Sequence, residues 1–297
     1  MTAPELTLTL RAPAKINLSL RVLGKRQDGF HAVDTRMVRL SVADVVTVKR
    51  VERGHTTLTC SDASLPVDET NLALRALRAF EEHTRGDRHH FSHKRARPAW
   101  HIHLEKLIPA GAGLGGGSSD AATVLKAVNQ LSGAPLTQKQ LAEIAASIGS
   151  DVPFFLYDSA CDASGRGEII TPVDFPHELA VVLVKAPFGI PTAWAYQKWA
   201  ESKELKGVLY APQICPWGTM VNDLERPVFS KHLTLPTLKM WLLDQPETLA
   251  ALMSGSGSTV FAVARSGVEA ARLAERAMTW CGETSWVRVA KTLPTNG

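Results

Sequence analysis

The feature that most constrains the fold is a glycine-rich segment that runs directly into a helix. Residues 109–122 read PAGAGLGGGSSDAA, and five of the seven residues from 111 to 117 are glycine. Glycine leaves room where a backbone must pass close to another group, and helical periodicity follows from 118 to 131. The N–H groups and the positive dipole end at such a helix start favour anions. The segment therefore predicts a phosphate site.

Two known phosphate-binding motifs fit this segment poorly. Gly111, Gly113 and Gly116 match GxGxxG formally, but residues 121–142 contain no Asp or Glu. A dinucleotide-binding fold uses an acidic residue about 20 positions further on to hold a ribose, so that fold is disfavoured. The Gly-Lys-Ser/Thr ending of the Walker A motif is also missing. A turn that serves packing alone is the remaining alternative, and the number of glycines argues against it.

Three further segments carry residues with useful chemistry. The Gly/Ser turn 254–258 precedes an apolar strand, and together with the first loop it predicts a second backbone close to the ligand. Lys15 and Asn17 share one face of an alternating strand, because side chains two residues apart point the same way. Asp151 stands before the apolar run VPFF, which we expect to be a strand. Taken alone, Lys15 is typical of an exposed strand lysine and Asp151 of a turn that ends a helix.

The rest of the chain mixes strand and helix periodicity. Strands are predicted at 7–22, 38–51, 56–60, 100–106, 179–185, 259–264 and 285–292. Helices are predicted at 71–83, 118–131, 137–147, 192–201, 222–229, 233–243 and 267–280. This is an α+β pattern, and 297 residues suit two lobes. We place the boundary between 160 and 175, which gives lobes of residues 1–165 and 166–297.

Composition and charge exclude several other classes of protein. Hydrophobic residues make up 45% and charged residues 21%, as in ordinary folded domains. The net charge of +4 comes from segment 85–97, with five cations and one Asp. We expect a solvated loop there, with a polyanion or metal site as the alternative. Only Phe91 accompanies these cations, which is unlike a nucleic-acid site with its stacking aromatics.

The sequence shows no sign of membrane insertion, secretion or cross-linking. No apolar run reaches the roughly 20 residues of a membrane-spanning helix, and the N-terminus lacks the pattern of a signal peptide. Cys60, Cys161, Cys215 and Cys281 lie far apart, without a CxxC pair. This spacing indicates free thiols rather than a zinc site or disulfides. We therefore expect a cytoplasmic protein with no nucleic-acid or membrane partner.

Taken in order, these segments resemble those of the GHMP kinases, the superfamily of galactokinase and of homoserine, mevalonate and phosphomevalonate kinases. The resemblance covers nearly the whole chain: RAPAKINLSLRVLGKRQDGFH (11–31), IPAGAGLGGGSSDAA (108–122), SDVPFF (150–155), KAPFGIPTAWAY (185–196), NDLE (222–225) and MSGSGSTVF (253–261). The glycine loop is typical of the whole superfamily. The DGFH segment and SDVPFF instead resemble the branch that phosphorylates 4-diphosphocytidyl-2-C-methyl-D-erythritol.

The resemblance implies a two-lobed fold, with an N-terminal lobe for ATP and a C-terminal lobe for the substrate. ATP is the implied co-substrate, with Mg²⁺ held in part by Ser119. Asn71 and Lys106 are implied contacts on the nucleotide side. The implied phosphate loop consists of Pro109, Ala110, Gly111, Ala112, Gly113, Leu114, Gly115, Gly116, Gly117, Ser118 and Ser119. Its N–H groups and the helix start would balance the charge of the phosphates.

The same resemblance assigns roles at the reacting end of the substrate. Asp151 resembles the general base that takes the proton from the substrate hydroxyl. Lys15 resembles the residue that orients this base, lowers its pKa and offsets charge on the transferring phosphoryl group. Asn17 is implied to hold the substrate.

At the cytidine end, His31 matches a residue that hydrogen-bonds the cytosine edge. Phe30 and Tyr196 match aromatic residues that stack on the two faces of the base, and many relatives have Tyr in place of Phe30.

The expected activity is thus ATP-dependent phosphorylation of the 2-hydroxyl of 4-diphosphocytidyl-2-C-methyl-D-erythritol, in non-mevalonate isoprenoid precursor synthesis. One alternative is another GHMP small-molecule kinase of the homoserine or mevalonate type. A second alternative is a catalytically silent nucleotide-binding member of the fold. The small-molecule substrate is the implied partner, and we expect a monomer or a weak homodimer.

Overall fold

The structure is a computed structural model that describes residues 6–52, 54–85, 98–282 and 284–293. The chain forms two compact units. The first contains Met1–Ala14, Ala43–Ile108 and Gly116–Tyr157, and the second contains Lys15–Val42, Pro109–Gly115 and Asp158–Gly297. Each unit therefore draws on several stretches of chain. The division into lobes 1–165 and 166–297 stays a prediction.

The first unit combines one sheet with three helices. Its strands are β1 (Leu6–Lys25), β2 (His31–Val51), β3 (Thr57–Cys60) and β4 (Ala99–Glu105), in the order β3-β4-β2-β1. Both β1 and β2 continue into the second unit. The helices are α1 (Leu72–Arg85), α2 (Gly116–Leu131) and α3 (Gln138–Ile148), followed by a 3₁₀ turn, Pro153–Leu156. Helix α2 is mostly buried, in keeping with its small and apolar residues.

The second unit contains two sheets. In the first sheet, β5 (Ala160–Ser164), β6 (Ile169–Val173), β8 (Gln213–Cys215) and β9 (Gly218–Asn222) extend the long strands in the order β6-β5-β2-β1-β9-β8. The second is antiparallel and uses β7 (Ala180–Lys185), β10 (Thr248–Met253), β11 (Thr259–Ala264) and β12 (Trp286–Lys291), in the order β10-β11-β7-β12. The helices are α4 (Thr192–Trp199), α5 (Glu225–Lys231), α6 (Thr234–Leu243) and α7 (Gly267–Cys281).

Strand β11 shows why this second sheet forms the core of its unit. All six of its residues are buried, because the strand lies between β10 and β7 and because α6 and α7 also pack against it. A run of six apolar or small residues matches burial on both faces. The Gly/Ser turn 254–258 directly precedes this strand, so the position of the turn is fixed by the most buried strand of the unit.

The predicted α+β class is confirmed, and so are most of the long elements. Helix α3 begins with a capping box, in which Thr137 and Gln140 are bonded in both directions. The expected strand at VPFF is wrong: Pro153 begins a 3₁₀ turn, for which its fixed φ is suited. The helix expected at 222–229 begins only at Glu225, because Asn222 is the last residue of β9. Most of the basic segment 85–97 lies outside the described residues.

Strands β5, β6, β8, β9 and β10 are absent from the sequence-based map. Strand β10 reads TLAALM, and Leu, Ala and Met favour helices when considered alone. It is a strand because it pairs with β11 along most of its length. No helix in the described parts of the chain is long and apolar enough to cross a membrane.

Candidate active site

In the N-terminal half of the glycine loop, residues 109–115, three carbonyl groups accept hydrogen bonds from other residues of the second unit. Thr259 N donates to Ala112 O at 3.2 Å, and Ser254 Oγ donates to Gly113 O at 2.9 Å. Lys15 N donates to Leu114 O at 2.9 Å. Carbonyl oxygens repel phosphate oxygens, so binding three consecutive ones to protein donors suits a loop that presents N–H groups to an anion.

The glycines of this loop have a packing role that the sequence did not predict. A Cβ on Gly113 would lie 2.2 Å from Ser254 O and 2.9 Å from Gly257 O. A Cβ on Gly111 would lie 3.3 Å from the Cα of Gly189. Both glycines also have positive φ, +75° and +62°. The two glycine-rich turns therefore contact each other directly, and clearing space for a ligand is only part of the reason for these glycines.

Gly113→Ala is expected to destabilise the protein far more than Gly207→Ala does. Both glycines have φ near +80°, but a Cβ on Gly207 would meet nothing within 4 Å. The pair therefore separates backbone strain, which both variants share, from the clash with Ser254 O. We expect an additional loss of about 1–3 kcal/mol for Gly113→Ala, the usual range for overpacking. Urea unfolding of both variants measures the difference, and equal losses would show that the contact is not tight.

The second glycine turn is held by the NDLE segment. Asn222 Nδ2 donates to Met253 O and to Gly255 O, both at 2.7 Å. Glu225 Oε1 accepts from Met253 N at 2.9 Å, and its other oxygen pairs with buried Lys239 at 2.6 Å. Burial raises the pKa of Glu225, and the Lys239 charge acts against this rise. The segment thus fixes the position of the turn, a role that its sequence alone did not reveal.

Lys15 is buried in the second unit, not exposed at a strand edge. It is 3% exposed, and its Nζ donates to Asn17 Oδ1 at 2.6 Å. A Cβ on Gly255 would lie 3.3 Å from this Nζ, so the second glycine turn closes over the ammonium group. Asn17 Nδ2 donates to Thr35 Oγ1 at 2.8 Å, so both ends of the carboxamide are engaged. The substrate contact predicted for Asn17 stays a prediction.

The three residues predicted to bind cytosine all lie in the second unit, and two of them, His31 and Tyr196, contact each other. The His31 ring stacks on Tyr196 with centroids 5.5 Å apart, and Trp199 meets His31 edge-on at 6.3 Å. Phe30 is half-exposed, and the Arg166 guanidinium lies 5.0 Å from its ring centroid. A cytosine that stacks on this face of Tyr196 must therefore displace the His31 ring. Sequence reasoning missed Trp199 and Arg166.

The surroundings of His31 favour its neutral form, which can both donate and accept a hydrogen bond. Partial burial and the nearby positive charge of Lys25 lower its pKa. At neutral pH the ring is therefore uncharged, with one nitrogen as donor and the other as acceptor. This is suitable for reading the edge of a neutral base.

In the first unit, the start of helix α2 carries two buried side chains with unsatisfied oxygens. Ser119 Oγ and Asp120 Oδ1 have no hydrogen-bond partner among the residues that the structure describes. Hydroxyl and carboxylate oxygens are hard ligands, which Mg²⁺ prefers. These two oxygens at the start of the helix therefore fit the Mg²⁺ ion that the resemblance implies at Ser119. Among the described residues, no group of three or more His, Cys, Asp or Glu side chains could hold a metal on its own.

Lys106 lies between two buried carboxylates of the same unit. Its Nζ donates to Asp120 Oδ2 at 2.5 Å and also to Asp44 Oδ2. Asp44 Oδ1 in turn accepts from the N–H groups of Leu107 and Ile108, at 2.5 and 2.8 Å. A lysine ammonium has three N–H donors, so one remains beyond these two bonds. The nucleotide contact predicted for Lys106 stays a prediction, and the two carboxylates fix the position of this side chain.

The two carboxylates and one cation leave this cluster with a net charge of −1, and the pKa values reflect it. Burial and the charge of Asp44 together outweigh the attraction of Lys106 and raise the pKa of Asp120 to about 6. Burial acts to lower the pKa of Lys106, but the charges of Asp120 and Asp44 outweigh it, so this pKa is raised.

Because the pKa of Asp120 is raised in the folded protein, the native state binds more protons than the unfolded chain between about pH 4 and pH 6. The free energy of unfolding therefore falls as pH rises through this window. Asp120→Asn cannot titrate, so its stability relative to wild type should increase from pH 4 to pH 7, by roughly 2–3 kcal/mol.

Urea unfolding in nucleotide-free buffer with EDTA measures this effect. Asp68→Asn is the control: hydrogen bonds from Thr70 lower the pKa of Asp68 from its usual value of 3.8, so its effect has the opposite sign, lies below about pH 4, and should leave the stability difference nearly constant from pH 4 to pH 7. A stability difference for Asp120→Asn that stays constant between pH 4 and pH 7 would contradict the raised pKa.

Asp151 and Asn71 both lie in the first unit. Asp151 is half-buried in the turn after α3, where Val152 N bonds to Gly149 O at 3.2 Å. Asn71 caps α1: its Oδ1 accepts from Ala73 N at 2.9 Å, and its Nδ2 donates to Pro66 O at 2.8 Å. Asn71 therefore has a structural role, and its contact with ATP stays a prediction.

Comparisons with known proteins show the family of this chain. The profile of the GHMP kinases N terminal domain matches residues 71–159, and that of the GHMP kinases C terminal domain matches residues 216–279. The chain is also 39% identical to a 4-diphosphocytidyl-2-C-methyl-D-erythritol kinase of Methylacidiphilum infernorum, over 95% of this chain and 96% of that protein. The chain belongs to the GHMP kinase family. It is therefore an ATP-dependent kinase.

Further relatives extend this family match. A kinase of Desulfotalea psychrophila with the same name is 38% identical over 88% of this chain and 87% of its own length. The crystal structure of a 4-(cytidine 5'-diphospho)-2C-methyl-D-erythritol kinase superimposes with a TM-score of 0.75 at 31% identity, covering 96% of this chain and all of that one. A homoserine kinase from Cytophaga hutchinsonii, at 19% identity and a TM-score of 0.66 over 100% and 97% of the two chains, shares the fold.

Proposed function

We propose that this kinase transfers the γ-phosphoryl group of ATP to the 2-hydroxyl of 4-diphosphocytidyl-2-C-methyl-D-erythritol. The observation that carries the proposal is the position of buried Lys15. The glycine turn 254–258 encloses its ammonium group, and its backbone N–H is bonded to the loop 109–115. A buried cation beside backbone turns that lack side chains suits the negative charge of a phosphoryl group in transfer. The choice of substrate in this proposal comes from the names of the relatives.

In the proposed reaction, the N–H groups of residues 110–117 and the start of α2 bind the ATP phosphates. Ser119, with Asp120 as a second oxygen donor, would hold Mg²⁺, which supplies positive charge to the phosphates when it is bound. Lys106 and Asn71 are the proposed contacts on the nucleotide side. The loop is suited to this role because its carbonyls at 112, 113 and 114 are already bonded to the protein.

Asp151 is proposed to take the proton from the 2-hydroxyl. A bond then forms between the 2-oxygen and the γ-phosphorus, while the bond from that phosphorus to the β,γ-bridging oxygen breaks and ADP leaves. Lys15 offsets negative charge on the phosphoryl group during transfer. Such a transfer needs mainly positioning and electrostatic stabilisation, so one base and one buried cation suffice beside the phosphate loop.

The cytidine end is proposed to bind at His31, Phe30 and Tyr196. Neutral His31 can bond the edge of cytosine, and the two aromatic rings supply faces for stacking. Offset stacking adds about 0.5–1.5 kcal/mol beyond area burial, which favours a base over a featureless group.

A coupled assay of ADP release with four alcohols tests this function. We expect turnover with 4-diphosphocytidyl-2-C-methyl-D-erythritol and little with mevalonate, homoserine or galactose. Phosphorus NMR of the product should show a phosphomonoester at the 2-position. Preference for mevalonate or homoserine would support another GHMP activity, and no turnover with any alcohol would support a silent nucleotide-binding protein.

We also propose that the protein works in the cytoplasm as a monomer or weak homodimer, with its small-molecule substrate as partner and without nucleic-acid or membrane partners. The four cysteines are free thiols in the structure, which fits a reducing compartment. Sedimentation at several concentrations checks the oligomeric state, and a tight dimer would contradict this proposal.

A further inference from the structure

The orientation of the Asn17 carboxamide is determined by a chain of buried hydrogen bonds. Thr35 Oγ1 donates to Ser19 O at 2.6 Å, and a backbone carbonyl can only accept. A threonine hydroxyl has one hydrogen, so towards Asn17 this oxygen can only accept. Asn17 must therefore direct its NH₂ group to Thr35, at 2.8 Å, and its oxygen Oδ1 to Lys15.

The orientation of the carboxamide matters because its two ends have nearly the same shape and opposite hydrogen-bonding polarity. In the reverse orientation, the NH₂ group of Asn17 would face the Lys15 ammonium, and two donors would meet. All three side chains are at most 4% exposed, so water cannot easily replace a lost partner. A buried amide that lacks its second partner can rotate, and the ammonium then loses a fixed acceptor.

We infer that Thr35 is a positioning residue: it holds the Asn17 carboxamide with Oδ1 towards Lys15 and thereby holds the ammonium in one place. The inference rests on the proposed function in so far as Lys15 acts in phosphoryl transfer. Neither the Lys15 nor the Asn17 segment reveals it, because Thr35 lies on the neighbouring strand β2, 18 residues from Asn17 along the chain. Displacement of a catalytic group by about 1 Å can lower the rate by roughly 100-fold.

Three variants at two positions test this role. Thr35→Val keeps the shape of the side chain and removes the hydroxyl, whereas Thr35→Ser keeps the hydroxyl. We expect Thr35→Val to lower kcat by roughly 10- to 100-fold with little change in the KM for ATP, and Thr35→Ser to restore most of the rate. Thr248→Val is the matched control. Thr248 is also a strand threonine of the second unit, and its buried hydroxyl has no partner among the described residues. This control should keep the wild-type kcat.

A double-mutant cycle separates positioning from general loss of stability. If Thr35 acts through Asn17, then Thr35→Val should have no further effect on kcat in an Asn17→Ala background. Unchanged kcat in Thr35→Val, or an equal loss with and without Asn17, would overturn the inference. A fall in melting temperature with unchanged kcat would also contradict the inference, because a threonine with only a structural role would give that result.

A measurement without turnover distinguishes failure of this inference from failure of the proposed function. The side-chain amide signal of Asn17, assigned by its loss in Asn17→Asp, should exchange slowly with water in the wild type and in Thr35→Ser. It should exchange faster in Thr35→Val. If the wild type does not phosphorylate the diphosphocytidyl alcohol but this exchange pattern holds, the substrate is wrong and the relay is correct. Equal exchange in all three proteins would overturn the relay itself.

Discussion

Replacing Asp151 with Asn is expected to lower kcat by about 10²- to 10⁴-fold, while the protein still folds and binds ATP. Asn has nearly the same size as Asp, but it cannot accept the proton that the attacking hydroxyl must lose. Asp151 is half-buried in a turn rather than inside a strand, so the change should have only a modest effect on stability. Steady-state kinetics gives kcat, and calorimetry with a non-hydrolysable ATP analogue gives the affinity.

The control for this prediction is Asp158→Asn. Asp158 is 62% exposed at its side chain and pairs with Arg39, so its replacement should leave kcat unchanged. If Asp151→Asn kept more than about a tenth of the wild-type kcat, the loss would be too small for a general base. If it lost ATP binding to the same extent as kcat, Asp151 would act on the nucleotide and not on the hydroxyl.

The glycine loop illustrates what the sequence could predict and what it could not. The helix after the loop and the need for glycine are local properties, and both follow from residues 109–131. The contact that makes Gly113 indispensable is with Ser254, which is 141 residues away along the chain. The sequence predicts that both turns approach the same ligand, but it does not predict that their backbones contact each other, because this contact depends on where β11 places the second turn.

The same distinction holds for the charged residues. Lys15 was predicted as catalytic only through the resemblance, since burial of a strand lysine cannot be read from alternation alone. The sequence does not single out Asp44, because a single Asp inside a strand gives no signal until its partner is known. Asp120 and Lys106 both lie near the loop in the sequence, but the pairing of Lys106 with both Asp120 and Asp44 emerges only in the folded sheet and helix.

The capping role of Asn71 follows from a local sequence signal. Asn at the residue before a helix is a frequent N-cap, and the predicted helix began at residue 71. Capping explains Asn71 without any ligand. The NDLE segment is the opposite case: it was recognised only by resemblance, and its hydrogen bonds to Met253 and Gly255 give it a physical reason.

Removal of the cytidine diphosphate from the substrate is expected to lower kcat/KM by several orders of magnitude, on the order of 10³-fold or more. This group is remote from the reacting hydroxyl, and binding energy from a remote group can be used to orient the reacting end. A loss confined to KM would show that the group only anchors the substrate. His31→Ala should have a smaller effect on the full substrate, on the order of 1–3 kcal/mol for one unsatisfied contact with the base edge.

The two losses should overlap, because the truncated substrate has already lost the group that His31 contacts. With that substrate, His31→Ala should therefore have little further effect. His177→Ala is the control, since the His177 ring also packs against an aromatic residue, Phe175, at 5.3 Å. It should leave kcat/KM unchanged for both substrates. Equal sensitivity to His31→Ala with and without the cytidine group would mean that the stack of His31 on Tyr196 supports the fold and not the base. The argument for a diphosphocytidyl substrate over mevalonate or homoserine would then lose its structural support, because the phosphate loop and Lys15 suit any kinase of this family.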